Sequence, residues 1–187
     1  MKNTIEYFEK PGKVNTLKTL EISKKRALEL GIKQVLLAST HGYTAKEAAK
    51  VFEDTDIEII AVTISDGYEE KGWCMKPEVR HELESSGIKV LTTQHALSGG
   101  AVESFDNETS FLSIIADTLY CFSQGMKVAL EIAVMAVENK CVSADIEIIS
   151  IAGTSEGADT AIVLVPPYAR KFKEARIREI LCKPRVG

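Results

Sequence analysis

Residues 34–64, QVLLASTHGYTAKEAAKVFEDTDIEIIAVTI, decide the fold. Gln34 to Ala38 is a continuous apolar run, the pattern of a strand covered on both faces. Thr44 to Glu53 has helical spacing, and Ile57 to Ile64 is a second apolar strand. Strand, helix and strand in this order predict a βαβ unit, with a parallel pair and a right-handed crossover.

The same pattern extends in both directions. Ile5 to Phe8 is a short β-prone run stopped by Pro11-Gly12. Asn15 and Thr16 are good caps for a helix carrying Leu17, Leu20, Ala27 and Leu28 on one side, and Gly31 ends it. Pro77 to Ser86 reads as a helix stopped by Gly87, Ile88 to Thr92 as a strand, and Phe111 to Phe122 and Lys127 to Asn139 as helices parted near Gly125. LELGIKQVLL (28–37) and LESSGIKVLT (83–92) use one helix-to-strand joint twice. Ile146 to Ile151 and Thr160 to Val165 are strands with no helix between them, hence antiparallel neighbours at one sheet edge. The expected architecture is a single α/β domain over 1–187: a three-layer α/β/α sandwich, its sheet mostly parallel with an antiparallel edge strand.

Composition sets bounds on function. The 187 residues are 45% hydrophobic and 27% charged, an ordinary globular balance. Lysine and arginine total 23 against 27 acids, a net charge of −4. That balance gives a nucleic-acid backbone no cationic surface to bind. Cys74, Cys121, Cys141 and Cys182 are scattered without a CxxC pair, so neither a zinc site nor a disulfide framework is expected. The N-terminus lacks an apolar signal region, and no run is long enough to span a bilayer. A cytoplasmic protein without a membrane partner is expected.

In a parallel sheet, ligands bind beyond the carboxyl ends of the strands. Glu9 to Thr16, Ser39 to Thr44, Ser65 to Gly72, Thr92 to Gly100 and Gly153 to Asp159 should gather there. The turn Ser39 to Thr44 offers three hydroxyls and a glycine at a helix start, where free amides and the helix dipole attract an anion. The same groups also serve as plain helix caps, and both readings stand at this point. No lysine of a Walker A motif follows. His95 lies just past a strand end, beside Ser98, Gly99 and Gly100, as a ligand contact or a structural histidine. His41 sits inside the turn, and Asn15 faces the same rim or caps its helix. Tyr68 and Trp73 flank DGYEEKGW and suit an aromatic lid. The helix Lys127 to Asn139 is so apolar that it packs centrally or forms a subunit interface. Paired catalytic carboxylates, a nucleophile elbow and a metal cluster are all missing from the sequence.

STHGYTAKEAAKVFEDTDIEIIAVT (39–63) resembles the strand, hydroxyl-rich loop, helix and strand of the pyruvate kinase C-terminal domain. IAGTSEGADTAIVLV (151–165) is similar to that domain's last strand pair around its effector loop. With YFEKPGKVNT, QHALSGG, QGMKVALEIAVMA and the terminal KPR, the chain looks like the stand-alone pyruvate kinase C-terminal domain-like proteins. The resemblance implies a phosphate-recognising module without the kinase's catalytic barrel or its activity, associated with flavin mononucleotide (FMN). It carries the phosphate loop onto Ser39, Thr40, Gly42 and Thr44, and the second effector loop onto Gly153, Thr154, Gly157 and Asp159. Glu156 and Asp159 would repel a second phosphate there, which favours a monophosphate. A phosphate-anchored FMN-binding protein is therefore expected. The rival readings are a flavin-dependent oxidoreductase with His95 near the ring, and a regulatory module sensing a phosphorylated metabolite through homo-oligomerisation.

Overall fold

The computed structural model describes residues 3–97 and 110–186. Seven strands form one sheet in the order β1-β7-β6-β5-β2-β3-β4. They are β1 (Glu6–Phe8), β2 (Gln34–Ala38), β3 (Glu58–Val62), β4 (Lys89–Leu91), β5 (Ile148–Ala152), β6 (Thr160–Val165) and β7 (Arg176–Pro184). Helices α1 (Thr16–Leu30), α2 (Tyr43–Phe52) and α3 (Pro77–Ser85) cover one face. On the other face α5 (Gln124–Glu138) packs against the sheet, with α4 (Phe111–Tyr120) outside it.

β2 shows why three layers form. Val35 and Leu37 enter the core beneath α1 and α2, whereas Leu36 enters the core beneath α5. A strand with both faces covered must be apolar at every position, and QVLLA is. Only β6 runs against the other strands, pairing antiparallel with β5 and β7. β7 was not expected: RIREILCKP carries charge on its exposed half and buries only Leu181, Cys182 and Pro184. It continues the sheet beyond β6, and β1 pairs parallel with it.

The repeated joint has one physical cause. Gly31 and Gly87 adopt φ of +69° and +81°, and the amides of Ile32 and Ile88 donate to the carbonyls of Ala27 and Leu83, at 2.9 and 3.1 Å. The buried isoleucine after each glycine then leads into the strand.

Two helices differ from expectation. α1 turns Thr16, Thr19, Leu20, Ser23 and Ala27 inward and leaves Leu17 and Leu28 more than half exposed. Its inner face meets a backbone turn, and Thr19 Oγ1 donates to the Ala158 carbonyl at 3.3 Å. α5 begins at Gln124 with Ser123 as its cap, so Gly125 lies inside its first turn. A Cβ at Gly125 would lie 2.4 Å from Thr160 Oγ1. α5 packs centrally, its Lys127 and Glu131 buried as a 2.6 Å ion pair whose carboxylate also accepts from the Leu97 amide at 2.7 Å. No helix among the described residues is long and apolar enough to cross a membrane.

Arg26 on α1 clamps β7 through two bonds to Glu179, at 2.8 and 2.5 Å, and Asn3 donates to the same carboxylate. The Arg26 guanidinium holds the Glu179 carboxyl below the usual carboxylate range. A depressed carboxyl stabilises the fold above the unfolded value, about 4.3, and the gain disappears as pH falls through the folded value. Glu179→Gln should cost about 1–3 kcal/mol at pH 7, and its urea midpoint should converge with wild type only as pH falls through the lowered carboxyl value.

Candidate functional site

The carboxyl ends of β1, β2, β3, β4 and β5 share one rim, together with the start of β6. A buried carboxylate organises one part of it. Asp159, fully buried, accepts from the Gly12 amide at 2.7 Å, the Thr154 amide at 3.1 Å and the Thr160 hydroxyl at 2.8 Å. Its charge is thus matched by donors from three positions rather than aimed at a ligand. Gly12 sits at φ +90° to make its contact. Gly157, at φ +72°, lies so close to α1 that a Cβ would meet Thr16 Oγ1 at 2.3 Å. Gly153 is equally confined, a Cβ there lying 2.6 Å from the Gly157 carbonyl. Thr16 Oγ1 donates to the Lys13 carbonyl and accepts from the Ala158 amide. Asn15 donates to the Lys10 and Gly12 carbonyls and makes no side-chain cap bond to α1. Gly153, Thr154, Gly157, Asp159 and Asn15 therefore build the wall of the rim.

The turn after β2 divides into two parts. Ser39 is buried; its amide donates to Val62 at 3.0 Å and its hydroxyl accepts from Ala45 at 3.2 Å. It is a cap. Gly42 takes φ +88°, and a Cβ there would stand 2.5 Å from Val79 Cγ1, so its freedom serves packing against α3. The amides of Tyr43 and Thr44, in the first turn of α2, meet no acceptor among the described residues, whereas the Lys46 amide meets Gly42. Thr44 is 4% exposed, and its hydroxyl has no partner among the described residues. Among the described residues no fully buried side-chain polar atom lacks a partner, so the Thr44 hydroxyl reaches solvent. Thr40 is half-buried and His41 exposed beside it.

Lys13 joins the two parts. Its ammonium lies 3.2 Å from Glu156 and 4.3 Å from the centre of the Tyr43 ring. This cation was not singled out in the sequence; the available signal was a lysine directly after a Pro-Gly turn and just before a helix. Its position offsets the acidity of Glu156 at the rim.

The His95 cluster is separate. His95 stacks on Tyr68 at 5.6 Å, and Tyr68 on Trp73 at 5.7 Å, with the Lys71 ammonium 5.0 Å from both of the latter rings. Tyr68 is buried and Trp73 46% exposed, so the expected lid pair packs on itself and on the histidine. The hydroxyls of Thr63 and Thr92 bond each other at 2.6 Å, and Arg80 donates to Thr92. Ser98 lies outside the described residues, as do Gly99 and Gly100.

Partial burial and the nearby Asp66 and Glu69 raise the Cys74 thiol above its ordinary range, and burial pushes Cys182 up to about 12. Neither is a ready thiolate. Among the described residues no cluster suits a metal ion. Two open clefts lie at the opposite rim, with Lys50, Glu53 and Glu58 in the lining of one and Lys33, Asp56 and Glu147 in that of the other. The unpaired amides mark the carboxyl rim instead.

Residues 17–164 match the family described as pyruvate kinase, alpha/beta domain. Among solved structures the chain is similar to a pyruvate kinase from Cryptosporidium parvum, with 16% identity over 81% of this chain and 23% of that one, at a TM-score of 0.42. It is also similar to Cryptosporidium parvum pyruvate kinase in complex with ADP, with 17% identity, 94% and 25% coverage and a TM-score of 0.42. The chain spans about a quarter of the length of these kinase chains.

Asp159→Ala strands two backbone amides and a hydroxyl. The expected loss is about 3–4 kcal/mol, read as a lower urea midpoint with an unchanged slope. A loss below about 1 kcal/mol would show that the rim is held by something else.

Proposed function

The chain belongs to the family of the pyruvate kinase alpha/beta domain, and from that premise we propose that it binds a phosphorylated small molecule, FMN, without pyruvate kinase activity. The observation that carries the reading is the start of α2. Two amides and the Thr44 hydroxyl lack acceptors among the described residues while Lys13 stands over the adjoining ring. A phosphoryl group supplies the missing acceptors and gains from the helix dipole.

Binding on this reading exchanges one partner of Lys13 for another. Glu156 is well exposed, so releasing it to water costs little. Lys13 then pairs with the phosphoryl oxygens, while Thr40, His41, Thr44 and the Tyr43 amide surround them. Ser39 and Gly42 act from behind, holding the turn in shape. One monoanionic-to-dianionic group matches one cation and one helix end, whereas a second phosphate finds Glu156 and the occupied Asp159. The ring of the ligand extends along the rim toward Tyr43 or toward the Trp73 end of the aromatic stack, both of which offer exposed aromatic faces. Bound flavin brings electron-transfer chemistry to such a site. His95 gives one ring face to Tyr68, a contact that does not engage its ring nitrogens, and the oxidoreductase reading stays the alternative.

Trp73 is the sole tryptophan, and its emission follows a titration. Thr44→Val and Lys13→Ala should each raise the dissociation constant of FMN about 10- to 100-fold, the value of one charge-assisted hydrogen bond. Riboflavin, which lacks the phosphate, should bind wild type more weakly by at least the same factor and be indifferent to Thr44→Val. Equal affinity for FMN and riboflavin would remove the phosphate anchor from the proposal.

A further inference from the structure

Residues 92–97, which follow β4, are held at both ends by charged side chains from helices on opposite faces of the sheet. At the first end Arg80 of α3 donates to the Thr92 hydroxyl, and to the Val90 carbonyl at 3.2 Å. The Thr92 hydroxyl meets that of Thr63 at 2.6 Å, and Thr63 donates to the Ile64 carbonyl at 2.9 Å. At the second end the amide of the buried Leu97 donates to Glu131 of α5 at 2.7 Å. Between these anchors His95 rests one ring face on Tyr68, and neither of its ring nitrogens has a partner among the described residues. Stability does not explain the second anchor. Lys127 and Glu131 are charged positions in a helix whose other buried residues are apolar. Desolvating two charges is costly, and apolar side chains of like volume often replace such a pair without loss of stability. What those side chains could not do is accept a backbone N–H of the arm, as the carboxylate fixed by Lys127 does.

We infer that Arg80 and the Lys127–Glu131 pair are positioning residues that fix this arm, and that the arm presents the ring nitrogens of His95 to the ring end of the ligand. The inference rests on the proposed binding of FMN at the rim, and it assigns the end of the ligand that the start of α2 leaves unread. It also selects the Trp73 side from the two directions open to the ring, since Tyr68 stacks on both Trp73 and His95. β4 lies two strands from β2, about 10 Å across the sheet. A phosphoryl group at the start of α2 therefore leaves the ribityl chain to cross the end of β3 and the ring to reach the arm. The polar edge of a flavin carries carbonyl acceptors and an N–H donor. An imidazole answers both, donating at one nitrogen and accepting at the other. With one face against Tyr68 and both ends of the arm fixed, the imidazole loses little freedom on binding.

Titrations with FMN and with riboflavin read the two ends of the ligand separately. His95→Ala should weaken both by the same factor, about 5- to 10-fold for one lost hydrogen bond, whereas Thr44→Val weakens FMN alone. The double variant Lys127→Met/Glu131→Met should melt at or above the wild-type midpoint and bind both flavins as weakly as His95→Ala. Its Leu97 amide should exchange at least tenfold faster. Adding His95→Ala to it should cost nothing further, because the pair acts through the histidine. With no ligand present, the NMR signals of the His95 ring protons, displaced by the Tyr68 ring, should move in the double variant toward those of an exposed histidine. If the double variant does not fold, Arg80→Met, at a half-exposed position, frees the Thr92 end and should weaken both flavins and shift the His95 signals in the same way. A Thr44→Val variant that binds FMN like wild type removes the phosphate reading alone, and the His95 signals and Leu97 exchange still test the arm. The inference is overturned if His95→Ala leaves both affinities intact while Thr44→Val weakens FMN. It is overturned equally if the losses from the double variant and His95→Ala add, or if Leu97 exchange and the His95 signals stay as in wild type.

Discussion

A buried carboxylate must be met by donors, and Asp159 finds them where the loop entering α1 meets the turn between β5 and β6. The loop entering α1, the turn joining β5 to β6, and the start of α5 all close around it. Gly12 bends to present its amide, and the start of α5 admits only glycine at position 125, where a Cβ would lie 3.0 Å from Asp159 Oδ1. Lys13 follows Gly12 directly, so the position of its charge at the rim is a consequence of the same contact. The wall of the candidate site is thus a by-product of solving an electrostatic problem inside the fold.

The two parts of the rim reach opposite outcomes from similar ingredients. Around Asp159, hydroxyls and amides are consumed by the protein itself, leaving a rigid support. At the start of α2, Ser39 satisfies the Ala45 amide, and the Tyr43 and Thr44 amides meet no acceptor among the described residues. Placing open donors beside a saturated cluster keeps them from collapsing onto a neighbouring carboxylate. Glu156, an exposed acid at the rim, is held by Lys13. On the proposed reading this arrangement is preorganised for an anion, with its orientation cost met in folding.

What the sequence disclosed follows from the range of the forces involved. QVLLA, IEIIAVTI and the two Gly-Ile joints are local patterns, and the strands and helix stops they imply are where the structure has them. β7 escaped because half of RIREILCKP faces water and its charges hide the alternation. The pairing of Asp159 with Gly12, and the fit of Gly157 against Thr16, join residues about 140 positions apart, and no local spacing encodes them. Lys127 and Glu131 sit four apart, the usual mark of a solvated helix face, yet both are buried. Thr44 and Ser39 were legible as a hydroxyl-rich turn. Which of them is a cap and which is open depended on the single bond from Ala45.

The pairing of β1 with β7 joins the beginning of the sheet to its end. A ribosome releases residues 6–8 first and residues 176–184 last, roughly ten seconds or more apart at ordinary translation rates. Throughout that interval the first strand has no neighbour, and the loop carrying Lys13 has no Asp159 to fasten it. The contact of Gly12 with Asp159 consequently closes only after residue 159 has been made and is free to fold. On the proposed reading, a ligand is captured at the rim only once that contact has formed.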